Sequence, residues 1–481
     1  MRRGAFLAVL GLAVVLAGGC LRLGPDFRPP GAPVTLPAAY QHASGRALPR
    51  EVAWWREFHD PELDRLVALA LERNWEIKKA AARVLEFRAR FVQASSPLWP
   101  RLELNGKAAK EQSPVLADLP GFLSGDRRTE TYNLSLAASY ELDLWGRLAR
   151  ADEAARAELL AARESRRTVV QTVVAAVVSS YLTCRALQRR LEVAARTVGA
   201  FQRGLEVVEG RYRRGLVGAL DLHQARRSLA QARARLPGLR LELGREQQRL
   251  MVLTGRYPRT HPEPPVGEGY YAAFARLEPV PAGLPAALLK RRPDLRAAEA
   301  RLKAANARVG EAMAARFPTI RLTAGFGYAS RALGGLFTPA GELWSLAAGL
   351  TQPLFDAGAL AARQRAAQAR LQQEAAEYAR TVLRAFAEVE GALLARKELL
   401  ARRREVVAAL EAARRAQEAA WERYQRGLSD YLQVLDAMRA RYTLEDTLVL
   451  VDLALFTNRV TLHRALGGGW DRAALASGRE G

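Results

Sequence analysis

The chain of 481 residues has few of the residues that build disulfides and metal sites: two cysteines and five scattered histidines. With so little cysteine, a fold held by disulfides is excluded, and the histidines show none of the paired spacings that metal ligands share. The one run of three glycines, at residues 467–469, follows a helical pattern and predicts a helix terminator, not a phosphate loop. The sequence therefore predicts no enzyme, no metal site and no cofactor.

Acidic residues are also under-represented, because 73 Lys and Arg stand against 50 Asp and Glu, a formal net charge of +23. Such basicity can indicate nucleic-acid binding. Here the arginines alternate with acids along helical stretches such as residues 402–405, which is typical of a solvated helix face. An export signal at the start of the chain argues the same way, and we expect no nucleic-acid partner.

The first 20 residues have the pattern of a targeting segment. Arg2 and Arg3 form a positive start, residues 5–16 form a short apolar run, and small residues lead into Cys20. The run is too short for a spanning helix and is typical of a signal peptide. The cysteine after small residues resembles a bacterial lipoprotein signal, which implies cleavage of residues 1–19 and acylation of Cys20. The alternative is an ordinary signal peptide with an incidental cysteine.

A long internal repeat organises the rest of the chain. The motif Arg-Tyr-x-x-Gly-Leu stands at residues 211–216 and returns 212 residues later at residues 423–428. An Ala-Arg pair at 82–83 recurs at 300–301, at an offset of 218, so the six-residue difference can lie in one loop. A repeat of about 200 residues is too long for a solenoid unit. It predicts two structural halves packed side by side.

Four stretches alternate apolar and polar residues, which predicts one strand hairpin in each half, with strands at 101–111, 131–143, 319–329 and 342–354. Transmembrane strands and soluble sandwich strands share this pattern, and the signal peptide favours the membrane. In that case the even-numbered positions should face lipid, among them Leu134, Leu136, Phe326 and Leu346.

Helical periodicity fills most of the remaining chain, with one helix predicted from Leu63 to Phe91. Very long helices follow each hairpin, predicted from Leu148 to Glu209, Asp221 to Leu253, Leu360 to Arg426 and Tyr431 to Leu466. The valine-rich stretch at 169–182 carries polar residues and is interpreted as a packing stripe, not a membrane helix. The predicted domains are a signal peptide (1–19), a tether (20–62), a first repeat (63–255), a Pro-rich linker (256–290), a second repeat (291–470) and a tail (471–481).

Strand number sets the oligomeric state. Membrane barrels start at eight strands, and an open sheet edge in lipid would leave backbone groups without partners. Four strands per chain must therefore be completed by other copies, and a trimer supplies the allowed number of twelve. We predict a mainly α protein with a membrane β-barrel: a trimeric 12-stranded barrel continuous with a long α-helical barrel.

Several motifs stand in order along the chain: Cys20 followed by Gly-Pro-Asp-Phe, Trp-Trp at 54–55, Tyr-Glu-Leu-Asp-Leu-Trp-Gly-Arg at 140–147, the two Arg-Tyr-x-x-Gly-Leu turns, and Gly-Gly-Gly-Trp ending at Trp470. Together they resemble the TolC-like outer-membrane efflux proteins, in the lipoprotein branch that serves RND-type drug efflux pumps. The resemblance implies a homotrimeric exit duct in outer-membrane lipid, anchored through Cys20, with its helical barrel in the periplasm. It also implies two partners, a periplasmic adaptor and an inner-membrane pump.

The resemblance further places the two turns at the periplasmic tips of the helical hairpins. It implies adaptor contacts at Gly215, Leu216, Gly427 and Leu428, and a gate formed by Asp221, Tyr424, Leu432 and Asp436. Gln433 and Ser429 stand where relatives commonly carry an acidic and a basic residue. Fewer charged residues are therefore expected to hold the gate closed in this chain. From the residues alone, Asp221 could instead be a helix N-cap and Asp436 a solvent-facing charge.

Other functions remain open at this point. A duct for type I protein secretion has the same architecture, although Cys20 and the Gly-Gly-Gly-Trp end favour drug efflux. A lipid-anchored coiled-coil scaffold without a pore would lack the four alternating segments. The transported substrates are not encoded in any of these patterns.

Overall fold

The computed structural model describes residues 22–31, 34–42, 53–113, 127–260, 280–283 and 285–468. Cys20, Trp470, the signal segment and the tail lie outside these ranges. Contacts divide the chain into two compact units, each drawn from both sequence halves. Among the described residues, the sheet unit comprises 22–30, 84–113, 127–162 and 298–378, and the helical unit comprises 31, 34–42, 53–83, 163–260, 280–283, 285–297 and 379–468.

The helix predicted from Leu63 to Phe91 is two helices, α1 (Pro61–Arg73) and α2 (Trp75–Ser95). Asn74 interrupts them with an extended backbone, and its side-chain oxygen accepts a hydrogen bond of 2.9 Å from the backbone N–H of Glu76. Its amide nitrogen donates to the carbonyl of Leu253 at 2.8 Å. The single predicted helix is therefore wrong at this point, because Asn74 caps the second helix while binding another segment.

The four predicted strands are present and form one antiparallel sheet in the order β1-β2-β3-β4. Their bounds are Arg101–Ser113 for β1, Arg127–Leu142 for β2, Thr319–Ser330 for β3 and Glu342–Thr351 for β4. In the described sheet β2 and β3 are paired on both sides, whereas β1 and β4 each present one free edge within the chain.

Strand register separates an apolar face from a polar one. Even-numbered residues are paired with even-numbered residues across the whole sheet, and directly opposite residues share a face. One such row is Leu104, Leu136, Phe326 and Trp344, and the next is Leu102, Ala138, Ala324 and Leu346. The opposite face carries Glu103, Asn105, Ser135, Thr323 and Ser345. Large apolar side chains are exposed on the even face, with Leu346 76% accessible.

Long helices follow each hairpin, as predicted. In the first half α3 (Arg147–Arg213) has 67 residues and α4 (Ala219–Leu253) has 35. Two helices precede β3, namely α5 (Pro285–Arg291) and α6 (Pro293–Ala314). The second half repeats both of the earlier lengths in α7 (Ala359–Gln425) and α8 (Tyr431–Ala465). The short helix α5 lies where the sequence predicted linker, and a proline at its first position is compatible with helix initiation.

The repeat seen in the sequence is reproduced at the ends of the long helices and at the starts of α2 and β1. The starts of α2 and β1 are related to those of α6 and β3 by 218 residues, and both ends of α3 and α4 are related to those of α7 and α8 by 212. The six-residue difference therefore lies within the first hairpin, in line with the expectation of a single loop.

The core of the helical unit is built on the valine stripe of α3. Val174, Val177 and Val178 are buried in one cluster with Trp54 and Leu63. Among the described helices, α3 alone is long and apolar enough to cross a membrane, but 67% of its most apolar stretch is buried inside the chain. The stripe packs against other parts of the same chain, which agrees with its interpretation as a packing surface.

Candidate functional site

The two Arg-Tyr-x-x-Gly-Leu motifs are helix stops. At the first tip (residues 211–221), Gly215 has a φ of +69°. Its N–H donates to the carbonyl of Tyr212 at 2.9 Å, and the N–H of Leu216 donates to the carbonyl of Arg211 at 3.0 Å. This is the Schellman pattern, which needs a left-handed residue that glycine supplies without strain. The second tip (residues 423–436) repeats both bonds, at 3.0 and 2.8 Å, and Gly427 has a φ of +73°.

Both tips present apolar side chains to solvent. Leu216 is 66% exposed and Leu428 64% exposed, and Leu220 at the start of α4 is similarly open. A Cβ added at Gly215 or Gly427 would meet nothing within 4 Å, so the space around each turn is free. All four predicted tip residues therefore lie at the surface of the turns, where another protein can reach them.

One arginine fastens the two tips together. Arg211 donates to the backbone carbonyls of Tyr424 at 2.8 Å and Gln425 at 2.7 Å, and its guanidinium lies 4.4 Å from the centroid of the Tyr424 ring. A cation at a helix C-terminus satisfies free carbonyls and complements the helix dipole. Sequence reasoning assigned no role to Arg211. Its position in a repeated motif was the available signal.

Tyr424 has a different environment from the one expected of a gate residue. Its side chain is 2% exposed, and its ring lies 5.2 Å from that of buried Tyr431. Burial is the main cause that raises the pKa of Tyr424. The equivalent residue of the first tip, Tyr212, is exposed. Within one chain Tyr424 therefore packs the inside of the tips and does not border open solvent.

Asp221 lies in the first turn of α4, where the N-cap position is occupied by Gly218. The alternative assignment of Asp221 as the N-cap is therefore wrong, because the helix begins two residues earlier. Burial, and then the negative charge of Asp430, raise the pKa of Asp221. Asp430 immediately precedes α8 and makes no side-chain cap bond. The two tips thus bring two carboxylates within electrostatic range of each other, and Asp430 was missed from the sequence.

Leu432 and Asp436 are both exposed on α8, one helical turn apart. The Asp436 carboxylate is 3.7 Å from the Arg439 guanidinium, and its side chain remains 65% accessible. A loose ion pair of this kind on a surface contributes little to stability. The placement fits a solvent-facing charge in a single chain, and it also leaves both side chains free to line an opening formed by several copies.

The start of the described chain is bound next to the end of strand β2. The N–H of Leu23 donates to the carbonyl of Trp145 at 3.1 Å. Arg150, whose side chain is almost fully buried, donates to the carbonyls of Leu23 and Gly24 and forms an ion pair of 2.9 Å with Asp26. Cys20 itself lies outside the described residues, three positions before Leu23.

No group of His, Cys, Asp and Glu within the described ranges is arranged to hold a metal ion. The tips present exposed apolar side chains and carboxylates at their surface.

Comparison with known proteins identifies a family. Residues 66–256 and 284–468 match the outer membrane efflux protein family. The chain is 34% identical over 477 residues to the toluene efflux pump outer membrane protein TtgF of Pseudomonas putida, covering 96% of each chain. It is 34% identical over 451 residues to the pyoverdine export outer membrane protein OpmQ of Pseudomonas putida, covering 92% of this chain and 94% of the relative.

Solved structures agree with these relatives. The outer-membrane channel OprN superposes with a TM-score of 0.86 at 30% identity, over 93% of this chain and 99% of that one. The open state of the Neisseria gonorrhoeae outer membrane channel MtrE gives a TM-score of 0.82 at 30% identity, over 94% and 99% of the two chains.

Proposed function

This chain belongs to the outer membrane efflux protein family and is an efflux channel of the outer membrane, and we propose that three copies of it assemble into one exit duct. The observation that carries the proposal is the open four-stranded sheet with one apolar face. In lipid, the free edges of β1 and β4 need partners. Pairing β4 of each copy with β1 of the next closes twelve strands and leaves no edge.

Dimensions of the apolar face support its placement in a membrane. On the even face of β2, Tyr132 and Tyr140 flank an apolar stretch that spans eight residues. At about 3.4 Å per residue this is about 27 Å along the strand, or roughly 21 Å along the membrane normal at a strand tilt near 40°. Membrane barrels have an apolar band of about 25 Å between their aromatic girdles.

The tips provide the periplasmic end of the proposed duct. Exposed Leu216 and Leu428 offer an apolar contact surface on which a periplasmic adaptor can dock. The adaptor would connect the duct to an inner-membrane pump. An RND-type pump is the partner that we propose, because the sequence motifs resemble the branch that serves such pumps and relatives are named for the efflux of toluene and of solvents.

The same names support small organic molecules as the transported class. Four relatives are named for toluene, solvent, antibiotic and pyoverdine export, and none of these four is named for protein secretion. We therefore favour small-molecule efflux over type I secretion for this chain.

The closed state of the proposed duct would be held at the second tip. Threefold symmetry turns Leu432 and Asp436 into rings of three leucines and three carboxylates, and Asp221 would add a further ring. An apolar ring resists wetting, and acidic rings favour cations. Buried Tyr424 would support this gate by fixing the tips to each other through Arg211.

A lipid anchor at Cys20 fits the position of the first described residues. Leu23 is bound next to the end of β2, and three residues span at most about 11 Å. Cys20 would therefore lie near the periplasmic end of the barrel, where an acyl chain can enter the inner leaflet. Mass spectrometry of the mature N-terminus tests this, and an unmodified residue elsewhere would contradict it.

Single-channel recording in planar bilayers tests the duct and its gate together. The unaltered protein should form channels only as a trimer, with low conductance and cation selectivity. Replacing Leu432 and Asp436 together by Ala should raise the conductance and weaken the selectivity. Glu411→Ala, which removes an exposed acid elsewhere on α7, is the matched control and should change neither. If the double variant conducts like the parent, these residues do not form the gate.

A further inference from the structure

A cleft of about 880 Å³ in the helical unit is lined by α3, α4 and α8. Part of its wall is apolar, since Val193, Phe201, Leu239 and Tyr442 are each at most 9% exposed. The rings of Phe201 and Tyr442 lie 6.3 Å apart, in a tilted arrangement. Clefts of this size can hold drug-sized ligands. Most of the remaining lining residues are polar or charged.

Four guanidinium groups border this apolar wall, and they are not equally compensated. Arg190 is paired with Asp446 at 2.7 Å, and Arg439 donates to a serine hydroxyl and lies near an acid of its own helix. Arg227 and Arg235 are exposed, and the described part of the chain places no carboxylate within ion-pair distance of either. The two carboxylates of the lining, Glu242 and Asp446, both lie beside Arg190, at 3.5 and 2.7 Å. The cleft therefore combines an apolar wall with two arginines, Arg227 and Arg235, that these acids do not pair.

The backbone of α4 leaves space at this point. Pro237 lies inside the helix, and Gly238, which follows it, borders the cleft. A Cβ at Gly238 would meet nothing within 4 Å, so a side chain could be added there without a clash. Because Gly238 borders the cleft, a larger residue at this position would narrow it.

We propose that this cleft binds organic anions that carry an acidic group on an apolar body. A guanidinium pair recognises a carboxylate or sulfonate through charge-assisted hydrogen bonds, while the body of the ligand is removed from water against Phe201 and Leu239. Neutral apolar molecules lack the first interaction, and small inorganic anions lack the second. None of the proposed gate residues lines this cleft, although Phe201 and Tyr442 belong to the same buried cluster as Tyr424.

Fluorescence titration of the full-length protein in a neutral maltoside detergent tests the proposal. The probe is anilinonaphthalene sulfonate, and its uncharged analogue N-phenylnaphthylamine reports binding by the apolar body alone. The sulfonate should bind saturably, with one site per chain. Replacing Arg227 and Arg235 together by Gln should weaken its binding about tenfold or more, and should leave the uncharged analogue unaffected. Arg240→Gln removes an exposed arginine of α4 that does not border the cleft, and should have no effect.

A second variant separates loss of the site from loss of the fold. Gly238→Leu should weaken sulfonate binding by narrowing the cleft beside Leu239, while thermal stability is kept because glycine is a poor helix former. If Gly238→Leu leaves sulfonate binding unchanged, or if Arg240→Gln weakens it as much as the double variant does, the dye is held by the general positive charge of the surface and the proposal is overturned.

Discussion

A charge at the centre of the apolar sheet face should destabilise the barrel strongly. Leu136 lies four residues from Tyr132 and four from Tyr140, so it occupies the middle of the apolar stretch of β2. It is paired with Leu104 and Phe326 and is 48% exposed in the single chain. In the assembled barrel, Leu136→Arg would place a guanidinium near the bilayer midplane, at a cost of about 2–4 kcal/mol per chain. Three copies would lose roughly 6–12 kcal/mol per trimer by the same estimate.

The matched control is Ala137→Arg, which adds the same side chain at the same depth on the opposite face. There the arginine would enter the aqueous interior, and we expect a change within about 1 kcal/mol, since its charge stays solvated. The measurement is urea unfolding of the refolded protein in lipid vesicles, followed by tryptophan fluorescence. If Ala137→Arg is as destabilising as Leu136→Arg, the assignment of the even face to lipid is wrong.

Three further outcomes follow from the helical regions and the N-terminal segment. Gly427→Ala should lower the free energy of unfolding by about 1 kcal/mol because φ is positive there, whereas Gly391→Ala, in an exposed part of α7, should raise it by about 0.5–1 kcal/mol. Thermal denaturation of the two variants compares these effects. Equal effects would contradict the left-handed turn at Gly427. Burial lowers the pKa of His463, although nearby Glu57 opposes this. The stability that this neutral side chain contributes should therefore be fully present above the ordinary histidine pKa of about 6.5 and should be lost as the pH drops below it. His463→Gln should make the melting temperature depend less steeply on pH between about pH 7 and 5, by about the contribution of one titrating side chain. If the dependence on pH is unchanged, His463 is not the source of the acid sensitivity. Arg150→Ala should increase the rate of amide hydrogen exchange about tenfold or more near Leu23 and Gly24, because charge-assisted hydrogen bonds contribute about 1.5–3 kcal/mol each. Unchanged exchange would show that other contacts hold this segment.

Long elements with a strong period were predictable from the sequence. Alternation in the strands, above all in β2 and β3, and long helices in which α4 alone contains a proline, Pro237, identified these elements. The break at Asn74 was not predictable in the same way. An asparagine is tolerated in a helical pattern, and what decides the break is a bond from its side chain to Leu253, which is 179 residues away.

The tips show a different limit to what the sequence can predict. The two motifs have the same sequence pattern and the same turn, and both were predictable from glycine and the repeat. Tyr212 and Tyr424 nevertheless differ, one exposed and one buried, because Arg211 of the first tip binds carbonyls at the second tip. A repeat in sequence predicts equivalent local structure, but contacts between the two copies of the repeat are not equivalent. The same holds for Asp221, whose neighbour Asp430 comes from the other tip.

Equal helix lengths in the two halves have a consequence for how this protein can change in evolution. Both halves pair a helix of 67 residues with one of 35, and Arg211 joins their ends. Inserting one heptad into each helix of a single hairpin would move that tip by about 10 Å along the helix axis and separate Arg211 from its carbonyls. A change of length in these helices is therefore tolerated only when both halves acquire it. The six-residue difference between the halves escapes this constraint because it lies in the first hairpin, outside the long helices.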